Sequence, residues 1–162
     1  MLLTATGLIA FGYLFGAVPF GLLVGKLKGV DIRTRGSGNI GATNAGRVLG
    51  RGYGFLVFGL DLFKGLAPTA LAGGVIGTSF AGRPMPAGAY LLWMAVAISC
   101  VLGHMFPVYL RFQGGKGVAT SVGAILGVYP FFTIAGLIAL VLWVLLTLLT
   151  RYVSVASMGA AG

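Results

Sequence analysis

Residues 118–150 run for 33 consecutive positions without a charged side chain. No other feature constrains the fold as tightly. Wound as a single helix at 1.5 Å per residue, the run would be about 50 Å long. A bilayer core is about 30 Å thick, and two full crossings would take about 40 residues. With Pro130 near its middle, the run reads as a helical hairpin with short arms, the first of them re-entrant. Residues 2–25 form another uncharged run, and the segments Tyr53–Gly77 and Ala87–Leu110 are also long and apolar enough to cross. Only 8% of the 162 residues are charged and 58% are hydrophobic, against roughly 25% charged in a soluble domain. A soluble fold of this length cannot hide that much apolar surface. The expected architecture is an all-α, polytopic integral membrane helical bundle with short or re-entrant helices and cytoplasmic active-site loops. It forms a single domain over residues 1–162.

The charges then set the orientation. There are 11 Lys plus Arg against two acidic residues, a net charge of +9. Lys26, Lys28, Arg33, Arg35, Arg47 and Arg51 all fall between the first two spans, at 26–52. The positive-inside rule places that stretch in the cytoplasm and the N-terminus outside. The next link carries only Arg83, as an external loop should, and the third span returns the chain to the cytoplasm at Arg111 and Lys116. The hairpin then brings Arg151 back to the same side. "RYVSVASMGAAG" reads as the start of one more helix, so the domain is expected to lack its C-terminal helices. Gly12/Gly16 and Gly21/Gly25 are small-residue pairs suited to close helix packing, and Pro19 is placed to kink the first span.

On this topology three polar clusters share the cytoplasmic face: Arg35 to Arg47, His104 to Lys116, and Arg151 to Ser157. The first contains Gly36-x-Gly38-x-x-Gly41, which matches a dinucleotide-binding fingerprint. The match is a decoy, because that motif needs a βαβ unit around it. Its physics survives, however. Closely spaced glycines let backbone N–H groups point into one concavity that suits an anion. Ser37, Asn39, Thr43 and Asn44 add donors, and Arg47 adds a fork that fits phosphate. The plainer reading is a polar loop with positive-inside arginines. In the second cluster, Gly114-Gly115-Lys116-Gly117 is a flexible cationic turn ahead of a helix N-terminus, a phosphate site in kind but not a Walker loop. His104, the only histidine, is either structural or functional; ionisable groups at membrane depth are costly and tend to serve function. In the third cluster, Ser154 and Ser157 share a helical face and suit either a helix interface or a site.

Within the second span, Asp61 and Lys64 lie three residues apart on one helical face. They read either as a buried ion pair or as an arrangement in which Lys64 helps to neutralise a substrate. Cys100, alone in an apolar run, reads as packing. One His, one Cys and two separated Asp make a poor metal-ligand set, and neither a metal nor a cofactor is expected. Nucleic acid is the least suitable partner, since no stacking aromatics interleave with the cations. Anionic lipid head groups or an anionic substrate remain as partners.

"GSGNIGATNAGR", "GHMFPVYLRFQGGKGVAT" and "RYVSVASM", with "DLFKG" in the second span, resemble the conserved segments of the bacterial membrane glycerol-3-phosphate acyltransferases that use acyl phosphate, the PlsY type. The resemblance covers essentially the whole chain. It implies transfer of an acyl group from acyl phosphate to the 1-hydroxyl of glycerol-3-phosphate, giving lysophosphatidic acid, the first step of phospholipid synthesis. Acyl-CoA and acyl carrier protein are not required. The implied location is the bacterial inner membrane, with the site facing the cytoplasm. On the resemblance, Ser37, His104 and Lys116 are expected to be catalytic. Gly38, Asn39, Gly41, Thr43, Asn44, Arg47, Lys64, Gly114, Gly115, Ser154 and Ser157 are expected to bind substrate or its phosphate. Acyl phosphate is already activated, so no covalent relay is needed, and no G-x-S-x-G elbow is present. Backbone amides near Ser37 and Lys116 would hold the leaving phosphate and the oxyanion. A transporter of organic phosphates would use a similar pocket but needs a path across the bilayer. A structural protein that recruits anionic lipid accounts for the charge but not for the glycine and amide spacing.

Overall fold

A computed structural model describes residues 2–79 and 84–150. The described residues form helices and turns, with no strand among them. The helices are α1 (Leu2–Gly16), α2 (Phe20–Leu27), α3 (Ala42–Leu49), α4 (Arg51–Ser79), α5 (Ala87–Met105), α6 (Val118–Gly127) and α7 (Phe131–Thr150). By length and composition, Leu2–Leu27, Arg51–Gly77 and Ala87–Leu110 are each able to cross a membrane. Each packs one face within the bundle and turns large apolar side chains outward; Phe55, on α4, is 72% exposed.

The first span is two helices rather than one kinked helix. Pro19 has no N–H to give to the preceding turn, so the chain breaks after Gly16 and restarts at Phe20. The break leaves the Val18 carbonyl turned inward, where it accepts a hydrogen bond from Lys64 Nζ at 2.8 Å. Gly12 and Gly16 do meet a helix, as their spacing predicts. A Cβ on Gly16 would lie 2.7 Å from Cys100 Cα, and one on Gly103 would lie 2.8 Å from the Ala17 nitrogen. These contacts bring α1 and α5 backbone to backbone, and they carry His104 to the α1–α2 break. Gly21 and Gly25 depart from expectation. Their flat face receives Ile32 and Ile40 of the following loop, not a second helix.

The polar stretch 26–52 is more ordered than its composition indicates. It holds a single 3-10 turn, Ile32–Thr34, and the eight-residue helix α3. Ala45 is fully buried and packs with Val24 and Val57. Gly50, at φ +102°, turns α3 directly into α4.

The uncharged run 118–150 is a hairpin, but only one arm is short. Helix α6 has 10 residues, about 15 Å of rise, whereas α7 has 20, about 30 Å. Helix α6 runs alongside α4, with Gly123 against the Leu62 carbonyl and Gly127 against Thr69. It therefore starts at the loop end of the bundle and stops about half-way along α4, as a re-entrant helix does. Helix α7 then doubles back along it, with Thr133 Oγ1 bonded to the Leu126 carbonyl at 2.9 Å. Cys100 is fully buried among these helices as a packing residue.

Candidate active site

The loop before α3 is organised by one amide. Asn44 is 1% exposed. Its Nδ2 donates to the carbonyls of Ile32 at 2.8 Å, Asn39 at 2.9 Å and Arg35 at 3.1 Å. Its Oδ1 accepts from the Ser37 backbone N–H at 2.8 Å. A Cβ on Gly36 would strike this oxygen, so the loop can wrap Asn44 only with glycine there. Asp31 caps the turn below. Its carboxylate accepts from the Arg33 backbone N–H at 3.0 Å and pairs with the Arg33 guanidinium at 2.6 Å. The Arg33 hydrogen bonds hold the Asp31 carboxyl down at about 2.

This wiring corrects two expectations. Asn44 is spent on the chain and has no donor left for phosphate; it positions the loop. The expected nest of backbone amides is also spent. The Ser37 N–H goes to Asn44, that of Gly38 to the Arg35 carbonyl at 3.1 Å, and that of Gly41 to Asn39 Oδ1 at 2.8 Å. Gly38, at φ +71°, makes the turn without lining a site. What the loop presents instead are side chains and the start of α3.

Those groups face a cavity of about 530 Å³. Ser37, Asn39, Gly41, Thr43, Asn44 and Arg47 line it from the first cluster, and His104 and Lys116 from the second. The N-termini of two helices open onto it. Gly41, Ala42 and Thr43 begin α3, and Gly117, Val118 and Ala119 begin α6. The first N–H groups of a helix have no partner within it and carry partial positive charge. Arg47 and Lys116 add two full charges, with no ion-pair partner among the described residues. Phe58 closes part of the wall.

Asp61 is the one carboxylate in the lining, and its charge is matched. Lys64 Nζ lies 2.8 Å from Asp61 Oδ1, and both side chains are almost fully buried. The other partner of Lys64 is the Val18 carbonyl. Lys64 therefore serves the buried ion pair and does not line the cavity, a correction to its expected substrate contact. Burying a lone ammonium in the bundle would cost several kcal/mol, so its two acceptors keep it in place. Gly114 and Gly115 do not line the cavity either. Their amides donate to the Met105 and His104 carbonyls at 3.2 and 3.1 Å and cap the end of α5. Gly115 also lies flat on the His104 ring, where any side chain would collide. Ser154 and Ser157, with Arg83 and Arg151, lie outside the described residues. Sequence reasoning missed the contributions of Asp61 and Phe58 to the lining; the Asp61–Lys64 spacing pointed to the pair but not to the cavity beside it.

Fold and cavity together define a class: a polytopic helical membrane protein with a cationic, phosphate-compatible cavity at one end of its bundle. The profile of the Glycerol-3-phosphate acyltransferase family matches residues 6–162. The glycerol-3-phosphate acyltransferase of Aquifex aeolicus is 43% identical over 153 residues, which cover 94% of this chain and 73% of the relative. That of Trichlorobacter lovleyi is 46% identical over 153 residues, covering 94% and 72%. The crystal structure of PlsY (YgiH), an integral membrane glycerol 3-phosphate acyltransferase in its glycerol 3-phosphate form, matches with a TM-score of 0.76 at 43% identity, covering 97% of this chain and 72% of that one. Its lysophosphatidic acid form matches with a TM-score of 0.74. The chain belongs to the glycerol-3-phosphate acyltransferase family, and the transporter reading is set aside.

Proposed function

We propose that this chain transfers an acyl group from acyl phosphate to the 1-hydroxyl of glycerol-3-phosphate, giving lysophosphatidic acid and inorganic phosphate. The observation that carries the proposal is the convergence of two helix N-termini and two unpaired cations, Arg47 and Lys116, on one cavity. Two phosphate groups must be held at once in this reaction, and each helix start with its neighbouring cation supplies one anion site. A mixed anhydride needs no enzyme nucleophile. The glycerol hydroxyl oxygen bonds to the acyl carbon, the bond from that carbon to the phosphate oxygen breaks, and phosphate leaves with the electron pair. Lys116 and the α6 N–H groups stabilise the charge that develops there. Arg47, Thr43 and Asn39 hold the acceptor, the Ser37 hydroxyl lies beside the reacting carbonyl, and the hydroxyl proton goes to His104 or to the substrate's own phosphate. Fixing both substrates within reach removes most of the entropic cost of meeting.

The proposed setting is the bacterial inner membrane with the cavity facing the cytoplasm. Lys26, Lys28, Arg33, Arg35, Arg47, Arg51, Arg111 and Lys116 support this orientation, since all lie at or beyond the cavity-side ends of the helices. The test is an acyl-transfer assay on the purified chain with palmitoyl phosphate and labelled glycerol-3-phosphate. Labelled lysophosphatidic acid is expected. It should not form when palmitoyl-CoA replaces palmitoyl phosphate, and it should fall about 100-fold in Arg47→Ala. Transfer from palmitoyl-CoA, or full activity in Arg47→Ala, would overturn the proposal.

A further inference from the structure

A groove of about 500 Å³ lies between α3 and the first turns of α4. It shares a wall with the cavity, because Ala42, Thr43, Arg47 and Phe58 line both. Its floor is bare backbone. Gly54 packs on Gly46 so closely that a Cβ on Gly54 would lie 2.9 Å from the Gly46 Cα. Arg51 stands at the mouth, and Phe55 and Phe58 follow it along α4. At 1.5 Å per residue, Phe55 lies about 6 Å and Phe58 about 10 Å deeper than Arg51. Both rings are exposed, on a helix able to cross a membrane, so the groove opens sideways onto the bilayer. Charge at the rim with apolar surface below it fits an anionic amphiphile.

The two guanidinium groups at this groove are free. The chain has only two acidic residues, Asp31 and Asp61, and these pair with Arg33 and Lys64. Arg51 is exposed and, like Arg47, has no hydrogen-bond or ion-pair partner among the described residues. Two guanidinium groups over one groove favour a ligand with close to two negative charges. A phosphate with a single substituent carries that charge near neutral pH, whereas a phosphodiester lipid carries one. The acyl-transfer reading above, on which this inference rests, involves two such single-chain phosphates. The donor phosphate belongs at Lys116 and the start of α6. The acceptor phosphate belongs at Arg47 and Thr43, which are also the wall of the groove, and it stays on the product. We propose that the groove is the lateral exit for lysophosphatidic acid. The product phosphate passes from Arg47 to Arg51 while its acyl chain lies over Phe58 and Phe55 into the bilayer. Arg51 is a product-binding residue and takes no part in the chemical step. An arginine that merely anchors a helix end would hold any anionic head group alike.

The test is binding to the chain in phosphatidylcholine nanodiscs. The probes are palmitoyl lysophosphatidic acid, palmitoyl phosphate and palmitoyl lysophosphatidylglycerol, a phosphodiester with one charge. Arg51→Gln is expected to weaken lysophosphatidic acid binding about tenfold and to change the other two by less than about twofold. Arg51→Lys keeps the charge and should restore most of the affinity. Because Arg51 is exposed, neither variant should move the melting temperature. In the acyl-transfer assay, Arg51→Gln should leave KM for glycerol-3-phosphate unchanged and raise the inhibition constant of lysophosphatidic acid about tenfold. Lysophosphatidic acid with a photoreactive diazirine on its acyl chain should label α4 around Phe55 and Phe58, and label it less in Arg51→Gln. An unchanged affinity in Arg51→Gln would overturn the proposal. So would an equal loss for lysophosphatidylglycerol, which marks a general lipid anchor, or a loss for palmitoyl phosphate alone, which makes the groove the donor's. Labelling confined to α5 and α6, where a separate apolar groove runs from Met94 to Phe132, would also overturn it. Binding and labelling need no turnover. A chain that binds lysophosphatidic acid through Arg51 but makes none from palmitoyl phosphate would overturn the reaction alone.

Discussion

Asn44 and Arg47 lie three residues apart on one short helix and do opposite work. Asn44 is buried and holds three carbonyls and one N–H of the preceding loop. Removing it strands several buried polar groups at once, each costing about 1–3 kcal/mol. Asn44→Ala is expected to destabilise the protein by roughly 3 kcal/mol, read as a fall in the detergent melting temperature, with activity lost as a consequence. Arg47 is exposed and has no hydrogen-bond or ion-pair partner among the described residues. Arg47→Ala should change stability by less than about 0.5 kcal/mol, while acyl transfer falls steeply. Melting and activity measured on both variants separate brace from ligand. Asp31 offers a pH handle on the same loop. Its carboxyl is held at about 2 by the Arg33 hydrogen bonds, below the ordinary carboxylate range. Its stabilising contribution is therefore present above about 4 and fades as pH falls through 2. A ¹³C titration of the Asp31 carboxyl should show its midpoint near 2 and move it up in Arg33→Gln. The sequence marked Asn44 as functional but not as a brace, because its partners are backbone groups that any sequence carries.

At the scale of the helix, the glycines between α4 and α6 decide where the cavity wall stands. Gly123 rests on the Leu62 carbonyl and Gly65 on the Thr120 carbonyl. A methyl group at either position has nowhere to go but between two backbones. Gly123→Ala is expected to push α6 from α4, cost about 1–3 kcal/mol, and reduce acyl transfer by moving Lys116 and the α6 N-terminus. Gly59→Ala on α4, where a Cβ meets nothing within 4 Å, should leave both melting temperature and activity intact. Equal effects of the two substitutions would argue against close packing as the cause. The long spans were legible from apolar run length, and a disturbance at Pro19 from one missing N–H, though as a kink rather than the full break observed. Helix α3 was not. "ATNAGRVL" is a poor helix by propensity, with Gly46, Thr43 and Asn44 among eight residues. It forms because Ala45 buries against Val24 and Val57 and because the loop bonds close on Asn44. Helix α7 was expected to be short; the chain does break around Pro130, but that position leaves 20 residues for α7 against 10 for α6.

At the scale of the whole molecule, helix direction and charge make an orientation testable. Cys100 is fully buried, so introduced cysteines can be labelled without background. Lys28→Cys should react with an impermeant maleimide only in inverted inner-membrane vesicles, and Pro84→Cys, on the link between α4 and α5, only in intact spheroplasts. The reverse pattern would invert the topology. The sequence by itself determined that this is a helical membrane protein, roughly where it crosses, and which side gathers its cations. Those properties follow from run length and charge, which are additive along a chain. It also carried the family, through segments that keep their order and spacing. Which polar groups reach the cavity was decided only by the tertiary structure. Ser37, Thr43, Arg47, His104 and Lys116 meet there, whereas Lys64, Gly114, Gly115 and the donors of Asn44 are consumed by the fold. A hydrogen-bonding group looks the same in sequence whether it serves a ligand or its own backbone. Only the position of its partner, set by close contact between helices distant in the chain, separates the two.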